Sequence, residues 1–390
     1  MSNNRGISTR AYSFLLSALM DGTLAMVQTC LPLLAIRFGA GAWFLGMLGW
    51  IPQAFRLPFC FTSGLLSDRI GRVRVLIPAA VIVLVTCILL AYARSNNQAL
   101  IIYMLLMAAV GAYFPALQAF IGDHSPRGEL RKNLTFFNLG WTVGSAVCGL
   151  AAGFLFVIWT SLPFIIGASL IAILIFIIMS WARKPADMAD NADAPVETAS
   201  ADSPGPLLFI ARTGHFLGFF GYALVRNIFP KLGVDLHISE SSIGVLIAMM
   251  LVGEASGIFV AGMGPWWRGK LWPLILAQSM MLVSGLLIFK AGSPVAFGIA
   301  FFVHGLSLGI AYTGALYYGL QSRTNMGRNT GIHESLVASA IILGSLMGGT
   351  AGQFVSLRAP YIIFSMLALA SMISCLIYWR IHRSKPPLPA

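Results

Sequence analysis

Residues 64–76 read Gly-Leu-Leu-Ser-Asp-Arg-Ile-Gly-Arg-Val-Arg-Val-Leu, and this stretch decides the fold. Gly64 and Gly71 bracket an Asp68–Arg69 pair, and Arg72 and Arg74 follow. The stretch joins two apolar runs, at about 42–66 and 74–93. A helix needs about 20 mostly apolar residues to cross a bilayer, and each run is long enough. Glycine adopts backbone conformations closed to other residues, so the spacing predicts a short cationic hairpin bracketed by the two glycines. A turn this tight and this charged, set between spans, suits a membrane protein with moving parts rather than a packed soluble core.

Composition extends that reading to the whole chain. Of 390 residues, 58% are hydrophobic and 10% are charged, where a soluble domain carries about 25% charged residues. Twelve runs reach spanning length: 11–37, 42–66, 74–93, 98–121, 134–157, 161–182, 207–230, 240–263, 271–290, 295–319, 331–354 and 359–380. They are continuously apolar, which argues for helices and against a barrel of alternating strands. The first run is too long for a removable signal segment. The expected fold class is therefore an all-α membrane protein with twelve transmembrane helices.

The net charge of +12 would suggest nucleic acid in a soluble protein. Here the positive residues lie in loops, and no aromatic-interleaved basic surface stands outside the spans. An even number of spans puts both termini on one side. That side carries 17 Lys and Arg, the opposite side carries 5, and Arg56, Arg212 and Arg226 fall inside spans. The asymmetry places both termini in the cytoplasm, with the plasma (inner) membrane of a bacterium as the expected location. Cys30, Cys60, Cys87, Cys148 and Cys375 all lie inside apolar runs without CxxC spacing, and read as small apolar fillers.

Residues 183–206 interrupt the pattern with five of the thirteen acids and no aromatic, and read as a disordered cytoplasmic linker. The linker divides the chain into an N-terminal six-helix half, 1–182, and a C-terminal half, 207–390. The halves repeat at an offset of 198: Pro32 maps to Pro230, Gly64 to Gly262, Gly71 to Gly269, Arg72 to Lys270 and Gly111 to Gly309. Span five matches span eleven at 199, Gly149 to Gly348 and Gly153 to Gly352. Both halves start on the same side, so the pseudo-repeats are parallel and related by an axis along the membrane normal. The second copy of the hairpin keeps Gly262, Gly269 and Lys270 but has Trp266 where Asp68 would fall. Trp266 and Trp267 read as residues of the interfacial aromatic belt.

These features together resemble the major facilitator superfamily. The hairpin matches that family's loop motif, G-x-x-x-D-R-x-G-R-[RK], at Gly64, Asp68, Arg69, Gly71 and Arg72. Val73 departs from the usual basic residue, and Arg74 stands in for it. Asp123-x-x-Pro126 with Arg127 and Arg131 resembles the segment after span four. Two other family motifs are missing. Span four lacks the early Arg of many proton-coupled members, and span five has Gly140, Gly144, Gly149 and Gly153 without the Gly-Pro pair of antiporters. The resemblance implies a transporter with no cofactor, in which Asp68 latches the cytoplasmic side and spans one, four, seven and ten line a central cavity.

Charges inside a span are costly and mark function by default. Asp21 lies about 16 Å along span one from Arg10, at 1.5 Å per residue, and is the expected proton carrier or cation contact. His215 and His304 are expected to relay protons or contact solute, with Arg226, Gln28 and Tyr312 as further contacts. Arg56 and Glu334 lie at similar depths, and the family's arrangement implies that they pair between the halves. Glu254 is the repeat counterpart of Arg56, sits in the Gly253-x-x-x-Gly257 frame, and is expected to pack against span five near Asn138. No metal-ligand spacing, catalytic triad or Walker motif appears, so the chain is expected not to be an enzyme. The expected function is secondary transport of a small organic solute by a monomer in the bilayer, coupled to protons. Efflux of amphipathic compounds and uptake of a polar or anionic solute, such as a sugar or organic acid, both remain open. So does a non-transporting sensor or scaffold on the same fold.

Overall fold

The computed structural model describes residues 2–125, 129–182, 205–320 and 326–382. Among these the chain forms thirteen α-helices and no strand. They are α1 Ser2–Arg37, α2 Ala42–Ile70, α3 Arg72–Ala91, α4 Asn96–Asp123, α5 Leu130–Ile158 and α6 Leu162–Ala182. The second set is α7 Gly205–Asn227, α8 Phe229–Asp235, α9 Glu240–Gly262, α10 Trp272–Lys290, α11 Pro294–Leu320, α12 Met326–Phe354 and α13 Ala359–His382. Among the described residues, eleven segments are long and apolar enough to cross a membrane. α2 is the twelfth by length, at 29 residues, but Gln53, Arg56, Pro52 and Pro58 dilute its apolar run. Residues 183–204 of the expected 183–206 linker lie outside the described residues, and Gly205 and Pro206 already belong to α7.

Span seven is shorter than its sequence run. Pro230 has no N–H to donate, so it suits a first helical turn and not an interior. The chain breaks at Ile228 and restarts as α8, with Pro230 in its first turn. The repeat counterpart Pro32 stays inside α1.

The opening hairpin needs a correction. α2 runs through Asp68 and Arg69 to Ile70, and α3 begins at Arg72. Gly71 alone makes the link, with φ 97° and ψ 145°, a conformation open to glycine and closed to residues with a Cβ. Gly64 lies inside α2 and is not a turn residue. The freed carbonyls at the end of α2 are satisfied at once: Gly71 N donates to Ser67 O at 3.1 Å, and Arg74 donates to Ile70 O at 3.2 Å.

The chain clusters into two compact units. One comprises Met1–Ala40, Ile51–Glu197 and Ser239–Val245; the other comprises Gly41–Trp50, Thr198–Ile238 and Leu246–Ala390. In the first unit, glycines of α5 let α1 approach closely. A Cβ on Gly144 would meet Ala18 Cα at 2.7 Å, and one on Gly22 would meet Cys148 Sγ at 2.7 Å. Without a hydrophobic drive between helices in lipid, such small-residue contacts supply much of the association. Gly244, at the start of α9, crosses Gly153 of α5, a Cβ there lying 2.7 Å from Gly153 Cα.

The second unit repeats the scheme. Gly344 of α12 lies on α7, a Cβ there meeting Phe220 O at 2.6 Å, and Gly46 crosses Gly349 at 2.8 Å. The Gly253–Gly257 frame of α9 packs on α11, where a Cβ on Gly257 would lie 3.0 Å from Gly309 Cα. This corrects the expected partner of that frame, span five, which α9 meets at Gly244 instead. Arg56 and Glu254 keep their repeat relation: the Arg56 backbone covers Gly111 in one unit, and the Glu254 backbone covers Gly309 in the other.

Candidate functional site

α7 carries a row of polar and aromatic groups in the second unit. His215, Phe219, Tyr222 and Arg226 fall at i, i+4, i+7 and i+11, one face of a helix. Their side chains touch in series. His215 meets Phe219 edge-on at 5.1 Å, Phe219 lies 5.6 Å from Tyr222, and Arg226 donates to the Tyr222 hydroxyl. At 1.5 Å per residue this ladder spans roughly 16 Å.

At one end of the ladder, His215 stacks on His333 of α12, with centroids 4.2 Å apart and planes 20° off parallel. Tyr312 of α11 closes a triangle, 5.6 Å from His215 and 5.2 Å from His333. His215 is fully buried and His333 is 5% exposed. Among the described residues no hydrogen-bond partner reaches any of their four ring nitrogens. Each such orphan costs about 1–3 kcal/mol, so the cluster is a site where the fold carries polar groups at a loss.

At the other end Arg226 is 4% exposed, its guanidinium 5.2 Å from the Tyr222 ring centroid. Glu254 of α9, 3% exposed, lies within electrostatic range of it. Their mutual attraction offsets part of the cost of burying both groups. His304 behaves differently from His215. Its Nε2 lies 3.0 Å from Gly218 O, and its ring packs on Phe364 and against Gly221. One ring nitrogen is thus paired, while Nδ1 has no partner among the described residues.

In the first unit Asp21 is half-buried on α1, within electrostatic range of the fully buried Tyr113. Its carbonyl accepts from Ser145 Oγ at 3.4 Å. Gln28, the repeat counterpart of Arg226, is half-buried one to two turns further on. Arg56 is half-buried on α2, and Asn138 accepts from Trp141 Nε1 at 3.3 Å. Glu334 is exposed on α12 in the second unit.

A charged network ties one end of the first unit. Arg72 donates to Asp68, to Ser67 Oγ at 2.8 Å and to Asp123 at 3.1 Å. Thr9 donates to His124 O at 3.3 Å, Asn133 to Ser125 Oγ at 2.8 Å, and Arg10 and Lys132 both bind Glu129. At the opposite end Arg37 grips Glu240 through two nitrogens and reaches Thr160 with a third.

The sequence pattern of the Major Facilitator Superfamily matches residues 13–211, just over half of the chain. The chain belongs to the major facilitator superfamily. Two solved structures of a bacterial homolog of the human lysosomal transporter Spinster superpose with TM-score 0.76. The inward-facing, occupied form is 16% identical over 98% of both chains, and the unoccupied form is 15% identical over 99% of both. The nucleoside transporter NupG superposes with TM-score 0.68 at 10% identity, covering 97% of this chain and 99% of that one. No curated protein sequence matches. At these identities the likeness is one of fold.

As a member of this superfamily the chain is an integral multi-pass membrane protein, and its relatives are transporters. Within the superfamily's loop motif, Arg72 holds the residues together and Asp68 is one of its two carboxylates. The residue that sequence reasoning undervalued is His333. It gets no role from the sequence reading, and its partner lies 118 positions earlier (333 − 215). The available signal was the α7 ladder, whose spacing marks a polar face that some other helix has to meet.

Proposed function

We propose that this chain is a proton-coupled secondary transporter of a small polar solute, working by alternating access with both termini in the cytoplasm. The carrying observation is the α7 ladder from His215 to Arg226. Polar and charged side chains in lipid-spanning helices are held at a cost of a few kcal/mol each, and the His215–His333 pair leaves all four of its ring nitrogens without a partner among the described residues. That face favours a polar solute over the amphipathic one. Asp21 supplies the coupling group, as a half-buried intramembrane carboxylate beside Tyr113. The charge asymmetry of the loops supports the cytoplasmic termini.

The test is reconstitution into liposomes loaded with a pH-sensitive dye, challenged with a panel of sugars, nucleosides and organic acids. One class is expected to evoke proton movement. Asp21→Asn is expected to lose the proton signal and uphill accumulation while retaining downhill exchange. If Asp21→Asn accumulates solute like the parent, Asp21 is not the carrier. If no panel member evokes flux, the sensor reading gains.

A further inference from the structure

We infer that His215, His333 and Tyr312 form a recognition site for the oxyanion of an organic acid. This rests on the transport reading above and names its solute class: a small molecule bearing a carboxylate beside an aromatic or apolar body.

Three observations converge. The first is the stacking. Near-parallel imidazoles 4.2 Å apart hold their ring nitrogens in two adjacent layers. A group with acceptor oxygens side by side accepts one N–H from each ring when both rings take the tautomer that puts the N–H on the same edge. A carboxylate is such a group, and its bonds to N–H donors are charge-assisted. The second is the lack of any protein partner, among the described residues, for four ring nitrogens on two buried side chains. The third is the surroundings. Tyr312 stands against both rings and carries a hydroxyl donor, Phe219 walls His215 edge-on, and Arg212 lies within electrostatic range of His333. The one acid adjacent in sequence, Glu334, is exposed. The site is thus a donor-rich, positively biased cluster with aromatic walls.

A metal ion fits these residues less well. Lone pairs of stacked rings run side by side instead of converging on one centre, and no group of three His, Cys, Asp or Glu gathers among the described residues.

The experiment titrates benzoate into the full-length protein in detergent, with benzamide as the uncharged isostere, read by calorimetry and by thermal shift. Benzoate is expected to bind saturably, and benzamide about tenfold more weakly or not at all. His333→Gln and Tyr312→Phe are each expected to weaken benzoate by about tenfold, the loss of one charge-assisted hydrogen bond. His382→Gln, whose ring stacks on Tyr378 of α13, is expected to bind like the parent. Tyr312→Phe keeps the ring and guards against a His333 variant that fails to fold. Equal affinity for benzoate and benzamide would overturn the site, as would parental affinity in both cluster variants. Proton flux evoked by a solute without any benzoate preference removes the oxyanion site and leaves the transport reading standing. Benzoate binding without flux for any solute removes the transport reading alone.

Discussion

The links at 71 and 263–271 are two copies of one device, built with different chemistry. Both turn on a glycine at positive φ, Gly71 at 97° and Gly269 at 70°, exactly one repeat apart. Around Gly71 the work is electrostatic: one residue joins α2 to α3, and Arg72 gathers Ser67, Asp68 and Asp123. Around Gly269 the work is aromatic. Trp267 is 4% exposed and donates to Ala261 O at 2.8 Å, and Trp266 donates to Val260 O at 3.1 Å. Gly269 N donates to the Tyr318 hydroxyl at 2.9 Å, and Arg268 lies over the Tyr317 ring. Duplication preserved the backbone requirement and let the side chains diverge. The first copy is open to solvent and to salt; the second is anchored in a buried cluster with Ile210, Leu274 and Cys375.

The comparison breaks most visibly at Trp267. Trp267→Ala removes a buried ring and its hydrogen bond, and is expected to cost about 3–5 kcal/mol. Arg72→Gln touches pairs in which Asp68 is 60% exposed, and exposed pairs contribute about 1 kcal/mol or less. Thermal unfolding in detergent at low and high salt reads both. The Arg72 effect should shrink with salt and the Trp267 effect should not. If Trp267→Ala were as mild as Arg72→Gln, the aromatic anchor would carry no more than the ion pairs do.

That anchor also shows where the sequence was legible and where it was not. Twelve apolar runs and an offset of 198 are properties of spacing, and the helices follow them. Trp267 read as an interfacial belt residue because an indole suits a membrane interface and a buried corner equally well. Only the contacts with Ala261, Tyr317 and Tyr318 separate the two. Gly64 read as a turn because a glycine's φ is not written in its neighbours. The helix tolerates it at a cost of about 1 kcal/mol against Ala, and the break falls at Gly71. The His215–His333 stack joins α7 to α12, and no local period relates residues that far apart. The glycine frame of α9 named a close crossing correctly but not its partner, since α5 and α11 offer equally small residues.

Gly71→Ala and Gly269→Ala sharpen the comparison next. A Cβ at either position meets nothing within 4 Å, so the cost is backbone strain alone. Each is expected to destabilise by about 1–3 kcal/mol. Gly71 should sit at the upper end, because the link there is a single residue, while nine residues at 263–271 spread the adjustment. Unfolding midpoints of the two variants check this. An unaffected Gly71→Ala chain would mean that the tight link does not require positive φ.

The smallest expected effect is a titration confined to the charged copy's end of the molecule. Hydrogen bonds from Lys132 and then Arg10 hold the Glu129 carboxyl below its ordinary range. A carboxylate whose pKa is lower in the folded state adds stability above its unfolded pKa of about 4.3, and loses it as pH falls through the folded value. Glu129→Gln should therefore be slightly less stable than the parent from neutral pH down to about pH 5. The gap should close through the range below about pH 4, where the parent's carboxyl takes up its proton. Residues 263–271 contain no Asp or Glu, so the cost of Trp267→Ala should stay level across the same interval. Melting curves of the three chains from pH 3 to pH 7 test both halves of the statement at once. A Trp267→Ala penalty that fell with acid alongside the Glu129→Gln penalty would mean that the aromatic link leans on a carboxylate elsewhere, and the contrast between the two copies would fail.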